Sequence, residues 1–124
     1  MHRSRLAGLV IDSQVEDKSA AIDFWAQALG WPGRETGEKY GKLATPSDQP
    51  DVLIQQVDHS SRVHLDIESD DIEAEVARLE ALGATVVERL ERWAVMEAPT
   101  GHRFCVVHPQ RPDFADAENV NVWT

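Results

Sequence analysis

Cysteine is nearly missing from this chain. Cys105 is the only one, which excludes a disulfide framework or a thiolate zinc site within one copy. Long apolar runs are missing too: none approaches the roughly 18 residues of a membrane-spanning helix. The opening stretch MHRSRLAGLVID has basic residues, but its apolar run is short and broken by Asp12, so no secretory leader is expected and the cytoplasm is the expected compartment. Positive charge is scarce. Twelve Lys and Arg stand against 22 Asp and Glu, a formal net charge of −10. Phosphate backbones and anionic membranes need basic patches, so neither nucleic acid nor a membrane is an expected partner. A neutral or cationic small molecule is compatible with this charge, which also serves solubility.

A length of 124 residues with 42% hydrophobic composition is enough for one domain with one real core. Two segments read as amphipathic helices that close on Ala-Leu-Gly. In SAAIDFWAQALGW (19–31), Ile22, Trp25, Ala26 and Leu29 recur at helical spacing. Asp17 or Ser19 can cap its start, and Gly30 suits the left-handed position past its end. In DIEAEVARLEALGA (71–84), Ile72, Val76, Leu79 and Leu82 share a face, Ser69 or Asp70 can cap, and Gly83 ends it. Glu73, Glu75 and Glu80 read as its solvated face.

A strand-like run precedes each helix, RLAGLVID (5–12) and RVHLDIE (62–68), and short strand-like runs follow each: 39–45 and 51–57, then 84–90, 92–98 and 103–108. The same order twice, with matched Ala-Leu-Gly endings, indicates an internal duplication. The expected fold is α+β: two tandem βαβββ modules, about 5–58 and 61–108, forming a curved mixed sheet around a central cleft with the helices outside. Residues 1–110 make the domain. Residues 111–124 are an extended tail pinned by Phe114 and Trp123.

The stretch VHLDIE carries the first chemical candidate. Val63, Leu65 and Ile67 alternate with His64, Asp66 and Glu68, so the apolar set should lie under the second helix and His64 and Asp66 should face the cleft. An imidazole donates, accepts and titrates near neutral pH, which makes His64 a candidate acid–base or ligand-orienting group. The alternative is a core histidine bonded to Asp66 or backbone. Trp93, on a strand expected to flank the cleft, can stack on a flat or cationic ligand or serve the core. Cys105 reads first as a buried structural thiol. Gln55 is either an orienting amide or a satisfied sheet residue. His59, His102 and His108 fall at strand ends or turns and read as exposed.

The stretches AIDFWAQALGW, RVHLDIESDDIEAEVARLEALGA, APTGHRFCVVHPQ and the ending NVWT, in this order across nearly the whole chain, resemble the glyoxalase/bleomycin-resistance/dioxygenase (vicinal-oxygen-chelate) superfamily, and within it the glyoxalase-like domain proteins. Many members hold a divalent metal with His, Gln or Glu from the first and last strand of each module. The resemblance places those four positions at Gly8, Gln55 (Gln56 if the register slips by one), His64 and Cys105. A glycine, a neutral amide and a soft thiol around one imidazole make a degenerate set, so a divalent metal is disfavoured and no other cofactor is expected. The turn before Cys105 departs too, with Ala98 in place of the usual Asp.

The expected function is metal-free binding of a small aromatic or cationic ligand, with Gly8, Gln55, His64, Trp93 and Cys105 as the ligand-binding positions and His64 as the one candidate catalytic group. The alternative is a metal-dependent lyase, isomerase or dioxygenase of the glyoxalase type. The resemblance also implies a homodimer; Val120, Val122 and Trp123 can serve that contact or dock on their own chain.

Overall fold

The structure is a computed structural model that describes all 124 residues. The chain is α+β and divides into two compact units, Gly8–His64 and Met1–Ala7 with Leu65–Thr124. No helix is long and apolar enough to cross a membrane.

The first βαβββ module consists of β1 (His2–Ser13), α1 (Lys18–Leu29), β2 (Gly33–Glu35), β3 (Tyr40–Leu43) and β4 (Asp51–Gln56). In the unit Gly8–His64 the strand order is β2-β3-β4-β1. β1 and β4 are parallel and the other neighbours antiparallel. The parallel pair is what a helical crossover produces, since the chain returns to the end from which it left. Asp17 caps α1 by accepting from the backbone N–H of Ser19, and Gly30 takes the left-handed conformation at its end. Ala21 and Ile22 bury against Leu43, Val52 and Ile54, with Ile11, Trp25, Ala26 and Trp31 packed around them. Leu29, expected on the same face, is the last residue of α1 and is 43% exposed.

The second module repeats the plan: β5 (Arg62–Ser69), α2 (Ile72–Ala81), β6 (Thr85–Arg89), β7 (Trp93–Glu97) and β8 (Arg103–Val107). Its strand order is β5-β8-β7-β6, again with the first and last strands parallel. The duplication inferred from two three-residue endings is therefore a duplication of topology. Asp71, not Ser69 or Asp70, is the N-cap and accepts from Ala74 N–H. Ser69 instead donates its hydroxyl to backbone carbonyls. Ile72, Val76 and Leu79 pack on Ala94, Met96, Phe104 and Val106.

Two expectations fail here. Of Val63, Leu65 and Ile67, only Ile67 packs against the core of its unit; Val63 is 57% and Leu65 44% exposed. Leu82 is also exposed; it is the C-cap of α2, one residue past Ala81.

Glu75, read as solvated, is wholly buried. Arg78 holds both of its oxygens at 2.8 Å, and His2 Nε2 lies 2.7 Å from Oε1. Burial pushes this carboxyl up, but bonds from Arg78, His2 and Ser4 outweigh it and hold the pKa below the usual carboxylate range.

The tail folds back within its own unit. A last strand, β9 (Asn121–Trp123), pairs antiparallel with His2–Ser4 of β1. Phe114 is buried under the guanidinium groups of Arg3 and Arg5. The Trp123 indole donates to Ser4 Oγ at 2.8 Å and lies under Arg78. Arg5, also buried, donates to Glu68, Asn119 and Asp113. Burial alone lowers the pKa of its guanidinium; the bonds to Asp113 and Glu68 more than reverse this and raise it. Val120 is buried and Val122 is half exposed, so Phe114, Val120 and Trp123 dock on their own chain.

Candidate functional site

Each module has one helix, so one face of each sheet has no helix on it. Side chains alternate along a strand, and register fixes which residues share that free face. In the unit Gly8–His64, α1 covers the face of Ile11, Val52 and Ile54. The opposite face therefore presents Gly8, Val10 and Asp12 from β1, Asp51, Leu53 and Gln55 from β4, and Tyr40 and Lys42 from β3. Asp12, Gln55 and Tyr40 form one row by register. Val10 and Leu53 form the apolar row beside it, and Gly8 pairs with Asp51 beyond. Lys42 and Asp51 are ion-paired at 3.4 Å.

Three expected positions thus belong to this unit. Gln55, not Gln56, is the residue on the helix-free face. Gln56 points the other way and donates to the carbonyls of Val15 and Glu16. Gly8 is a glycine for a steric reason: a Cβ there would lie 2.5 Å from the Asp51 carbonyl oxygen and 3.0 Å from its Cβ. No side chain fits at that position without moving the neighbouring strand.

His64 is held by a residue that the sequence reading did not single out. Its Nδ1 lies 2.7 Å from Asp12 Oδ2, and the Asp12 side chain is 3% exposed. The separation of Nδ1 and Oδ2 is hydrogen-bond distance. Arg62 Nε approaches the same oxygen at 3.7 Å, too far for a hydrogen bond. The other oxygen, Asp12 Oδ1, is buried and bonds no protein group. The sequence signal for Asp12 was faint: one carboxylate ending an otherwise apolar strand.

Trp93 and Cys105 belong to the other unit. There α2 covers Ile67, Ala94, Met96, Phe104 and Val106, and the free face presents Asp66, Trp93, Val95, Glu97, Arg103 and Cys105. Cys105 is register partner to both Asp66 and Val95. It is partly exposed rather than sealed in the core, and its thiol lies within 4.8 Å of an Asp66 carboxylate oxygen. Arg103, the one cation near it on its strand, is 3.3 Å from Glu97. Trp93 is 39% exposed and pairs with Val107, one step diagonally from Cys105. His102 and His108 are exposed as expected, and His59 is half-buried.

The model of the glyoxalase-like domain matches residues 8–107, running from Gly8 to the last residue of β8. The chain belongs to the glyoxalase-like domain family. Several solved structures share its fold. A Bacillus halodurans hypothetical protein is 12% identical with a TM-score of 0.67, over 94% of this chain and 99% of that one. A Legionella pneumophila structure named as an NAD-dependent benzaldehyde dehydrogenase is 8% identical with a TM-score of 0.63, over 82% and 99%. A variant of homoprotocatechuate 2,3-dioxygenase from B. fuscum is 15% identical with a TM-score of 0.57. The match covers 88% of this chain and 34% of the dioxygenase chain. At these identities the likeness shows the fold alone. A search of curated proteins found no match.

Proposed function

We propose that this glyoxalase-like domain binds a small organic molecule without a metal, and that the helix-free face of the Gly8–His64 unit is where recognition occurs. One observation carries this reading. His64, fixed by a buried carboxylate, shares that face with the partly buried Gln55 amide and Leu53 side chain, beside the buried Val10. An apolar surface with a few fixed polar groups is the chemistry of a small-molecule site.

The donor set at the family's metal positions does not fit a divalent ion. Gly8 offers no donor and has no room for one. Gln55 offers a neutral amide. His64 has one ring nitrogen engaged by Asp12. Cys105 is a soft thiol, unlike the imidazoles and carboxylates that hard divalent ions prefer.

The test is calorimetric titration with a panel of neutral and charged aromatic compounds, with His64→Ala and Gln55→Ala beside the wild type. Saturable binding is expected, weakened roughly three- to tenfold by each substitution, the value of one hydrogen bond. A panel without any saturable binder overturns the reading. A second reading, a metal-dependent lyase, isomerase or dioxygenase, draws on the carboxylate of Asp66 beside the Cys105 thiol. Elemental analysis of protein purified without chelator separates the two: stoichiometric transition metal supports the second and overturns the metal-free proposal.

A further inference from the structure

The tail is tied down by polar bonds and cation–π contacts rather than by the core. Glu68 Oε1 accepts from the backbone N–H groups of Gln110 and Arg111 at 2.6 and 3.0 Å. Arg5 donates to Asp113 and Asn119, and Arg3 to the carbonyls of Ala115 and Ala117. The Arg78 guanidinium lies 3.8 Å from the centre of the Trp123 ring. Phe114 and Val120 are buried, yet no tail residue belongs to the apolar cluster that α2 covers. Phe114 meets Arg3 and Arg5 instead.

Lifting this segment would strand no buried charge. Arg5 keeps its Nε on Glu68 Oε2 at 2.7 Å. Glu75 keeps both bonds from Arg78 and its contact with His2. Asp113, the carboxylate that Arg5 loses, is already 54% exposed. Breaking a buried pair is costly because one charge is left without a partner, and here both buried pairs stay whole. Openings that lose few apolar contacts cost less than global unfolding.

We propose that residues 110–123 are a releasable strap, which opens as one unit while α2 and β5–β8 stay folded. Closed, the strap covers the β1 edge at His2–Ser4, and an open strand edge invites pairing with other chains. It also covers Arg3, Arg5 and Arg78, a group of cations in a chain with only 12 Lys and Arg. Opening uncovers the edge and the cations together.

Amide hydrogen exchange, read by NMR on the full chain at neutral pH, tests this. Gln110, Arg111 and β9 are expected to share one opening constant, at least about tenfold larger than that of β7 and β8. Phe114→Ala removes both cation–π contacts. It should raise the strap's opening constant by about tenfold and leave that of β7 and β8 unchanged. Equal constants for strap and core in the wild type overturn the proposal, as does a Phe114→Ala variant in which both rise together. Separate constants for 110–111 and β9 overturn it too, because they describe fraying rather than one unit. If Phe114→Ala does not fold, the wild-type comparison decides, with Asp113→Asn as the milder variant that should loosen the strap alone.

Discussion

At the scale of single residues, the groups that matter most are those whose partners lie far along the chain. Glu75 is one. Its pKa is depressed in the folded protein, because bonds from Arg78, His2 and Ser4 outweigh its burial. A carboxylate lowered on folding adds stability above its unfolded pKa and loses it as pH falls through the folded value. The stabilising share of Glu75 is therefore fully present above about the ordinary 4.5 and lost progressively in more acid solution. Thermal melts from neutral to acid pH should show the midpoint falling below that range. Glu75→Gln should melt lower at neutral pH and follow a flatter acid limb; an unchanged limb would show that other carboxylates control it. Glutamate on an exposed-looking helix stripe reads as solvated in any periodicity argument. Its burial was illegible because His2 stands 73 positions away. Asp12 was missed for the same reason, since only the fold brings it to His64. The face of Gln55 was legible because alternation within a short strand assigns it without knowledge of distant partners, whereas in 62–69 the same alternation failed for Val63 and Leu65.

At the scale of elements, the local rules governed. Helix positions, the parallel return of the last strand of each module and the left-handed Gly30 follow from apolar spacing and turn chemistry. Short β2 was not foreseen: its three residues are all exposed, so no burial pattern marks it. The cap of α2 slipped by one residue because three consecutive candidates, Ser69, Asp70 and Asp71, compete, and the strand extends through Ser69. Asp71→Ala should cost about 1 kcal/mol in denaturant unfolding, the usual value of an N-cap, whereas Asp70→Ala should leave the α2 cap intact. In the first module, α1 lies close on β3 because Gly41 has no side chain. A Cβ there would come within 2.3 Å of Ile22 Cδ1 and 2.5 Å of its Cγ1. Gly41→Ala is expected to destabilise by about 1–3 kcal/mol through overpacking. Shortening the neighbour with Ile22→Val should recover part of this in a double-mutant cycle.

At the scale of the whole molecule, charge and repetition set what the chain does. An excess of ten negative charges predicts no retention of duplex DNA in a filter-binding assay even at low salt, where phosphate contacts are strongest; salt-sensitive retention would contradict this. The duplication was legible from the order of elements, whereas the division of chemistry between copies was not. The first module supplies the buried carboxylate of Asp12, and the imidazole it holds, His64, opens the second. The second sets a thiol beside Asp66. Two copies of one topology have thus acquired different side chains on equivalent sheet faces, as expected where function lies in grafted residues rather than in the fold.

The pairing of His2–Ser4 with Asn121–Trp123 makes the polypeptide nearly a ring. Joining those two ends through a brief linker and opening the backbone at the exposed turn 46–49 would yield a circular permutant with every strand pairing preserved. It would also turn the entropically distant closure between Ser4 and Trp123 into a local one. Such a permutant should fold faster than the parent wherever that closure limits the rate.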